Sequence, residues 1–519
     1  MPTEIYEQTS EEGPEVVLEN DLLRLAISPY FGGRIVQIFD KRIGRDILDE
    51  TQPSGIQILA GEPGLVPVSS RMECLVVRDG PLSGVWLGGA FGGFGAHIFF
   101  GLPDDRAAVQ VEVRIHNPTL ADRPYGGSIS VAGMGACQQL CGGIAWRHPD
   151  RGVWLGLWFE PGVLEDGCLE GVWRFGKAGD LMAPRQLDVW SFVLTPYASE
   201  EKPLAISREV IAWAGHGNLI LRSVAEHRGA KAFLQMDSGQ TLESEIDLDP
   251  VRVQTFDGLP GLPVGIVIRS DDRELLSSER TAPEEKIEPE SPVQPSKVFT
   301  EGIRRLQAGL DPTEQLARAA FNLRYRAAAY SAMGLWSLRC GEPDEAASWF
   351  EDALLYNAED HLTWWYKAVA HRLSGDQGED RPELPNAHYL APLEQALRVE
   401  SFMRLPVGEG TGPNPLLTSV GELPERYIHV AELYFDAGLF DQAARWLDEA
   451  LRHVDIPVFR YQLAYCFLEG SRMKAEAAEQ VRRASLKPLD GMQPSPRVAA
   501  RLLREFPRDE RLRWTCTAR

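Results

Sequence analysis

The chain has 519 residues, of which 44% are hydrophobic and 25% are charged. It is longer than one hydrophobic core accommodates, so we expect two or three domains. The formal net charge of -22 repels phosphate backbones and anionic lipids, which excludes nucleic acid and membranes as partners. No window supplies the roughly 18 apolar residues of a membrane helix, and the acidic segment 1–15 lacks the features of a secretory leader. We therefore expect a cytoplasmic protein.

The cysteines do not form a metal or disulfide pattern. No C-x-x-C pair occurs, and Cys137 and Cys141 have no second Cys or His pair nearby to complete a tetrahedral site. We expect reduced thiols, with no metal and no other cofactor.

Residues 1–15 are predicted to be an acidic tail, and residues 16–277 to be a β-sandwich. In the segment Val109 to Ile115, apolar residues alternate with Gln110, Glu112 and Arg114, which is the period of a half-buried strand. Turn residues separate further strand candidates, and the absence of crossover helices between them favours antiparallel sheets. These candidates are Leu22–Ile27, Arg34–Phe39, Val153–Phe159, Val189–Leu194, Ile206–Ile211, Leu219–Ser223 and Ile266–Arg269.

Residues 278–300 are rich in Pro and Glu and are predicted to be a linker. From residue 301 to 519 the hydrophobic period becomes helical, and small residues recur at 34-residue offsets, as from Gly334 to Ala368 and from Ala450 to Ala484. This offset is typical of tetratricopeptide repeats, in which paired helices pack closely. The pattern predicts an α-solenoid of four units, the second enlarged by an inserted loop from Asp376 to His388.

A stack of such units leaves a concave groove, the usual site for a peptide or a partner helix. The aromatic residues that we assign to this partner groove are Tyr330, Trp364, Tyr427, Tyr434 and Tyr461. The alternative for this region is a bundle of amphipathic helices, which Ala-rich and Leu-rich helices would also form.

The segment Val16 to Leu48 has a distinctive order: a strand after Leu18-Glu19-Asn20, a Pro, the run Gly-Gly-Arg-Ile, and Asp40-Lys41 followed by Gly-Arg. In this sequence pattern, and in the stretches VQVEVRIHNPT and DLDP, the chain resembles a bacterial domain of unknown function (DUF5107-type) that is often joined to tetratricopeptide repeats. That family is similar to the galactose-mutarotase-like β-supersandwich of aldose epimerases and accessory domains of glycoside hydrolases. The resemblance implies a multidomain protein, with an antiparallel β-supersandwich first and helical repeats after it.

The resemblance also implies a site at residues Gly84 to Phe100, where family members carry a carboxylate and paired histidines. This sequence keeps Trp86 and offers the single His97, but the carboxylate is absent. Sugar-ring opening and glycosidic cleavage need an acid and a base on opposite sides of the reacting oxygen. Five carboxylates are candidates for the second acid-base group beside His97, and their spacing in the sequence singles out none of them. They are Glu73, Glu160, Glu165, Asp188 and Glu226.

Other candidate residues come from side-chain chemistry. His148, between Arg and Pro in a turn, is the second candidate for catalysis because imidazole titrates near neutral pH. Tryptophan faces pack against pyranose rings, and Gly, Arg, His or Asp neighbours indicate an amphipathic cleft for four of them. The predicted ligand-binding residues are Arg34, Trp86, Trp146, Trp173, Asp188 and Trp190.

The sequence contains none of the nucleotide-binding, zinc-protease or serine-hydrolase motifs. The leading hypothesis is a carbohydrate-binding β-sandwich joined to a protein-interaction scaffold. The alternative is a carbohydrate-active enzyme, an aldose epimerase or a glycoside hydrolase. A third possibility is an adaptor without a ligand in the β-sandwich.

Overall fold

The computed structural model divides into two compact units, Met1–Gln294 and Pro295–Arg519. The residues that it describes are 2–11, 13–48, 55–61, 72–79, 82–91, 94–132, 137–140, 143–148, 152–159, 164–169, 172–175, 181–198, 203–215, 217–271, 273–278, 296–375, 382–391, 396, 424–487 and 493–517. Most of the predicted linker lies outside these residues.

The first unit is built from β-strands, as predicted. The strands are β1 Glu4–Ser10, β2 Gly13–Glu19, β3 Leu23–Ser28, β4 Arg34–Asp40, β5 Arg45–Asp46, β6 Gly55–Gly61, β7 Glu73–Asp79, β8 Leu82–Phe91, β9 Phe94–Pro103, β10 Val109–His116, β11 Arg123–Pro124, β12 Gly126–Ala132, β13 Cys137–Leu140, β14 Gly143–Arg147, β15 Val153–Phe159, β16 Leu164–Leu169, β17 Val172–Phe175, β18 Leu181–Met182, β19 Leu187–Ala198, β20 Pro203–Ile206, β21 Val210–Gly215, β22 Asn218–Ser223, β23 His227–Met236, β24 Thr241–Leu248, β25 Gln254–Asp257, β26 Pro263–Ser270 and β27 Arg273–Ser277.

Two large antiparallel sheets form the first sandwich. In the described part of the chain, one sheet has the order β1-β2-β3-β4-β6-β12-β17-β16, with β5 added beside β4, and the other is eight-stranded with the order β13-β14-β15-β19-β10-β9-β8-β7. Alternation decides which side chains enter the core between them. Val109, Val111, Val113 and Ile115 of β10 are all buried in it, whereas the residues between them point to the opposite face.

A second, smaller sandwich follows in the same unit, where the sequence predicted one sandwich throughout residues 16–277. Its sheets have the orders β20-β21-β22-β25 and β24-β23-β26-β27, and its core is separate from the first. The predicted strand Ile206–Ile211 is instead the turn of a hairpin. Ser207 makes this turn, since its backbone N–H donates to Val210 O at 2.9 Å.

The two sandwiches share an apolar junction. Tyr197 of the eight-stranded sheet stacks on Trp154 at 6.3 Å between ring centroids and meets Trp213 of the second sandwich edge-on at 4.8 Å. All three rings are buried. Since large buried aromatic contacts of this kind resist separation, the sandwiches form one body.

A buried ion pair lies at the same junction. Arg42 donates to both carboxylate oxygens of Asp40, at 2.8 and 2.7 Å, and also to the carbonyls of Pro196 in the first sandwich and Pro250 in the second, at 2.9 and 3.2 Å. Arg222 of β22 lies 3.9 Å from Asp40 Oδ2. Burial lowers the pKa of Arg222, as does repulsion from Arg42, while Asp40 opposes the shift. The carboxylate therefore holds two cations together.

The predicted acidic tail also differs in the structure. Residues 4–10 form β1, which pairs with β2 in antiparallel register, with Ile5 opposite Leu18. Ile5 is buried and Tyr6 donates to Glu19 Oε2 at 2.6 Å. Glu4 and Glu7 of this strand are both exposed, so the acidic composition did not prevent strand formation.

The second unit is helical, as predicted. Its described helices are α1 Lys297–Gln307, α2 Thr313–Ala319, α3 Leu323–Cys340, α4 Pro343–Tyr356, α5 His361–Leu373, α6 Glu383–Leu390, α7 Pro424–Asp436, α8 Phe440–His453, α9 Pro457–Cys466, α10 Lys474–Ser485, α11 Pro496–Glu505 and α12 Glu510–Thr517. A π-helical turn, Phe467–Ser471, follows α9.

Local sequence signals explain the helix ends. Asn322 caps α3 by accepting from the backbone of Arg324, and Asp360 caps α5 by accepting from Leu362 and Thr363. Gly341 ends α3 in the left-handed region, with φ of 79°. Helix α6 begins inside the predicted inserted loop, at Glu383, and extends beyond its end at His388. Residues 376–381 of that loop lie outside the described part. Within the residues described, no helix has the length and apolar character needed to cross a membrane.

Candidate functional site

The candidate site lies on the outer face of the eight-stranded sheet, defined as the face that carries Glu112 and Arg114. Residues paired directly across antiparallel strands present their side chains on the same face. The strand register therefore identifies which side chains meet there.

One row of this face contains both acidic and basic groups. Glu73 of β7 pairs with Gly88 of β8, which pairs with His97 of β9, which pairs with Arg114 of β10. Gly88 contributes no side chain to this row, so Glu73 and His97 are the titratable residues on either side of it. With strands about 4.8 Å apart, the Cα atoms of Glu73 and His97 are about 10 Å apart. His97 is 6% exposed.

The neighbouring row is aromatic. Trp86 pairs with Phe99, and Phe99 pairs with Glu112. The Trp86 and Phe99 ring centroids are 5.1 Å apart, and both side chains are half-buried. Arg114 joins the two rows, because its guanidinium carbon lies 4.6 Å from the centroid of Trp86 while its Nε donates to Glu112 Oε1 at 2.6 Å.

Two glycines create the space for this aromatic row. An added Cβ at Gly84 would lie 2.4 Å from the Phe99 ring, and one at Gly101 would lie 2.7 Å from it. Phe99 therefore lies flat on the sheet over both residues. In the sequence the glycine run Gly88 to Gly95, GGAFGGFG, predicts a sheet-crossing loop, but Gly88 and Gly89 lie inside β8 and Gly95 lies inside β9.

The second sandwich covers another part of the outer face. Val193 and Trp158 pack with Val224 and Ala225 of the second sandwich. An added Cβ at Gly156 would lie 2.3 Å from Ile206. The candidate site is thus confined to the β7, β8, β9 and β10 side of the sheet.

Asp188 and Trp190 come together, but on the opposite face. They pair with Ile115 and Val113, whose side chains face the core. Tyr125 donates to Asp188 Oδ2 at 2.7 Å and stacks on Trp190 at 5.6 Å. Their cluster belongs to the end of the sandwich interior and is separate from the His97 row.

The remaining predicted residues of the β unit are dispersed. Arg34 begins β4 in the other large sheet and places its guanidinium carbon 4.9 Å from the Phe31 ring centroid. Trp146 is fully buried in the core and has no surface for a ligand. His148 is buried beyond the end of β14, with three strands between β14 and His97. Trp173 lies on β17, and its side chain is outside the described part.

In the helical unit, three of the predicted groove residues are core residues. Tyr427, Tyr434 and Tyr461 are at most 2% exposed, so their rings offer no surface to a partner. Tyr330 and Trp364 are half-buried. Tyr330 stacks on Trp349 with ring centroids 5.8 Å apart, and Trp364 donates to Ala358 O at 2.8 Å.

Sequence reasoning missed Arg114, Glu112 and Phe99. The alternation of β10 was the available signal for the first two, since it placed both on the face opposite the core. Glu73 was one of five carboxylates that spacing left equivalent, and the register now distinguishes it. In the described ranges, no group of three or more His, Cys, Asp or Glu side chains is arranged to hold a metal ion.

Comparisons with known proteins give weak likenesses. No protein-family model and no curated protein matches the chain. A tetratricopeptide-domain protein from Parabacteroides distasonis is 11% identical, covering 90% of this chain and 83% of its own, with a TM-score of 0.25. A galactose mutarotase related enzyme from Lactobacillus acidophilus is 9% identical over 36% of this chain and 98% of its own, with a TM-score of 0.25. The 4-α-glucanotransferase from Thermococcus litoralis is 13% identical over 38% and 40%, with a TM-score of 0.25. No statement about activity follows from these values.

Proposed function

We propose that the outer face of the eight-stranded sheet binds a saccharide, and that the helical unit is a tetratricopeptide-type scaffold for a protein partner. The observation that carries the first part is the pair of adjacent rows, with Trp86 beside Glu112, Arg114, His97 and Glu73. Saccharides present both apolar C–H faces and hydroxyl groups. A half-buried indole suits the former, and charged hydrogen-bonding groups suit the latter.

A second candidate function is acid-base catalysis on the bound sugar. It is favoured by the register, which puts the carboxylate-bearing Glu73 and the imidazole-bearing His97 in one row on either side of Gly88. Proton transfer from one side and to the other is what ring opening and glycosidic cleavage require. The position of Glu73 supplies the carboxylate that is missing from residues 84–100.

The scaffold role is supported by the packing of successive helices. Helix α4 packs against α3 and α5, and α8 packs against α7 and α9. An added Cβ at Gly334 of α3 would lie 2.5 Å from the Phe350 ring of α4. Such close approach of paired helices at a small residue is the feature that repeats of this class share.

One experiment with three variants tests the β unit. Calorimetry of the full chain against mono- and oligosaccharides should detect binding, and Trp86→Ala should weaken it at least tenfold, about 1.4 kcal/mol. Trp364→Ala, a half-buried tryptophan of the helical unit, is the matched control and should bind as the wild type does. The bound sugar is then assayed for anomer exchange and glycosidic cleavage by NMR.

Glu73→Gln separates the two candidate functions. If the wild type turns the sugar over and this variant binds without turnover, the enzyme is supported. If the wild type binds the sugar without any turnover, only the binding function is supported. The absence of binding by every saccharide tested contradicts both. Cross-linking of the full chain in cell extract tests the scaffold, which is overturned if all partner cross-links map to the β unit.

A further inference from the structure

Helix α9 is buried on every side. Each of its ten residues, from Pro457 to Cys466, is buried, and these include Arg460 and Gln462. In an open stack of helix pairs, the first helix of a unit keeps one face toward the concave surface. Here α8 and α10 pack on α9, and α11 packs on it as well. Helix α11 thus contributes to the complete burial of α9.

The contacts of α11 reach back across α9 to α7. Arg497 donates to Glu432 Oε2 at 2.6 Å and to Asp436 Oδ1 at 2.7 Å. Ser495 donates to Glu432 Oε1 at 2.8 Å, and Gln462 of α9 donates to the same oxygen at 3.3 Å. Burial acts to lower the pKa of Arg497, but the charges of Asp436 and Glu432 outweigh it and raise the pKa. Helix α11 is therefore anchored to residues more than sixty positions earlier in the sequence.

A second arginine, one helical turn later, makes the same kind of contact. Arg501 donates to Glu469 Oε1, in the π-helical turn after α9, at 2.5 Å. Val498, Ala499 and Leu502 of α11 are buried. The helix combines an apolar stripe with two arginines four residues apart, and side chains at that spacing share one face.

The surface under α11 has the complementary chemistry. It presents the carboxylates of Glu432, Asp436 and Glu469, and its apolar part includes Phe435, whose ring centroid lies 5.6 Å from the guanidinium carbon of Arg497. Burial raises the pKa of Tyr465, on the same side of α9, to about 12. Carboxylates spaced to take two guanidinium groups, beside an apolar strip, fit a basic amphipathic helix.

We propose that the surface of α7 and α9 is a docking site for a helical peptide carrying two arginines four residues apart, and that α11 is the chain's own occupant of that site. A partner helix of this kind displaces α11. This inference rests on the proposed scaffold role of the helical unit and names the class of partner. The apparent affinity for the partner is reduced by the small fraction of molecules in which α11 is released.

The probe is a fluorescent peptide with the sequence of residues 495–506, added to the full chain and followed by anisotropy. Arg497→Ala with Arg501→Ala should release α11 and strengthen peptide binding by about tenfold or more, since minor states are commonly populated at 0.1 to 10%. The matched control is Arg482→Ala with Arg483→Ala, because both arginines pair with Glu479 on α10. It should bind the peptide as weakly as the wild type.

Hydrogen exchange accompanies these measurements to establish that the variants fold. In the variant with Arg497→Ala and Arg501→Ala, called the release variant, the backbone amides of α11 should exchange faster than in the wild type. Exchange in α3, α4 and α5 should not change. A charge reversal then tests the contact itself. In the release background, Glu432→Lys with Asp436→Lys should abolish binding of the arginine peptide and permit binding of a peptide in which both arginines are Glu.

The inference is overturned if α11 exchanges faster and the peptide still does not bind, or if exchange in α11 does not change. It is also overturned if the release variant forms a concentration-dependent dimer in light scattering that the peptide does not dissociate, because a second copy of the chain is then the occupant. These results leave the scaffold role intact. That role fails separately, through cross-links that map only to the β unit.

Discussion

Replacing Asp40 by Asn removes the anion that two buried guanidinium groups share. The side chains of Asp40 and Arg42 are 0% and 3% exposed, and that of Arg222 is 11% exposed. In the variant, Arg42 keeps its hydrogen bonds to two carbonyls but loses its counter-charge, and Arg222 remains close to it. Removing one partner of a buried pair costs about 3–5 kcal/mol, because a charge is left uncompensated in a poorly solvated place.

The free energy of unfolding of the β unit should therefore fall by about 3–5 kcal/mol at neutral pH. Because a chain with two units does not unfold in one step, urea titration is to be combined with hydrogen exchange, which separates the strands from the helices. Exchange in the helical unit should not change. The control is Glu226→Gln, which removes a pair with Arg228 whose side chains are 56% and 82% exposed, and should leave the free energy of unfolding nearly unchanged.

A fall of less than about 1 kcal/mol for Asp40→Asn, equal to that of the control, would contradict this reasoning. It would mean that water reaches Arg42 and Arg222 at the junction and replaces the carboxylate. An intermediate result with faster exchange only in the second sandwich would instead locate the loss at the junction.

Two further predictions concern acid stability and helix packing. Burial acts to raise the pKa of Glu209, but the charges of Arg106, Arg273 and His227 outweigh it and lower the pKa from its ordinary value of 4.5. The stability that this ionised carboxylate contributes is present above pH 4.5 and is lost as the pH falls through the lowered pKa. Glu209→Gln should thus be less stable than the wild type at pH 7 and lose less stability between about pH 5 and pH 3, and parallel stability curves from urea titrations would contradict this. Gly334→Val should destabilise the helical unit by about 1–3 kcal/mol, since Phe350 already fills the space, whereas Ser348→Val on the exposed side of α4 should not. Thermal unfolding followed by helix ellipticity checks the pair, and equal midpoints for both variants would refute the packing argument.

The strands with clear alternation were the predictable part of the fold. The segment Val153–Phe159 is β15 with the same bounds, and Val109 to Ile115 lies within β10. In β10 buried and half-buried side chains alternate because one face meets the core, whereas β15 is apolar throughout and buried on both faces because the second sandwich covers its outer side. The division into two sandwiches was not predicted, because the segment Ile206–Ile211 was predicted to be one strand although Ser207 makes a turn in it through its backbone and hydroxyl.

The candidate site depended on register, which the sequence does not encode locally. His97 and Trp86 were found from their residue types, but Glu73 lies twenty-four positions before His97 in the sequence and reaches its row only through two strand pairings. Trp146 and Tyr434 show the opposite case. Both residue types suit a ligand or a partner, yet their rings fill the interior, because large aromatic side chains contribute most when they are fully buried.

The helical unit has both kinds of feature, a local pattern that was predictable and a long-range contact that was not. The recurrence of small residues predicted helix pairs, and Gly334 against Phe350 shows why the residues must be small. It did not predict the contact between α11 and α7, since Arg497 and Glu432 are 65 positions apart. If α11 occupies the surface of α7 and α9, then a partner's measured affinity is the difference between its own contacts and those of α11. A partner that binds this surface must therefore match both arginine contacts and cover the apolar strip, and a ligand making only one of them leaves α11 in place.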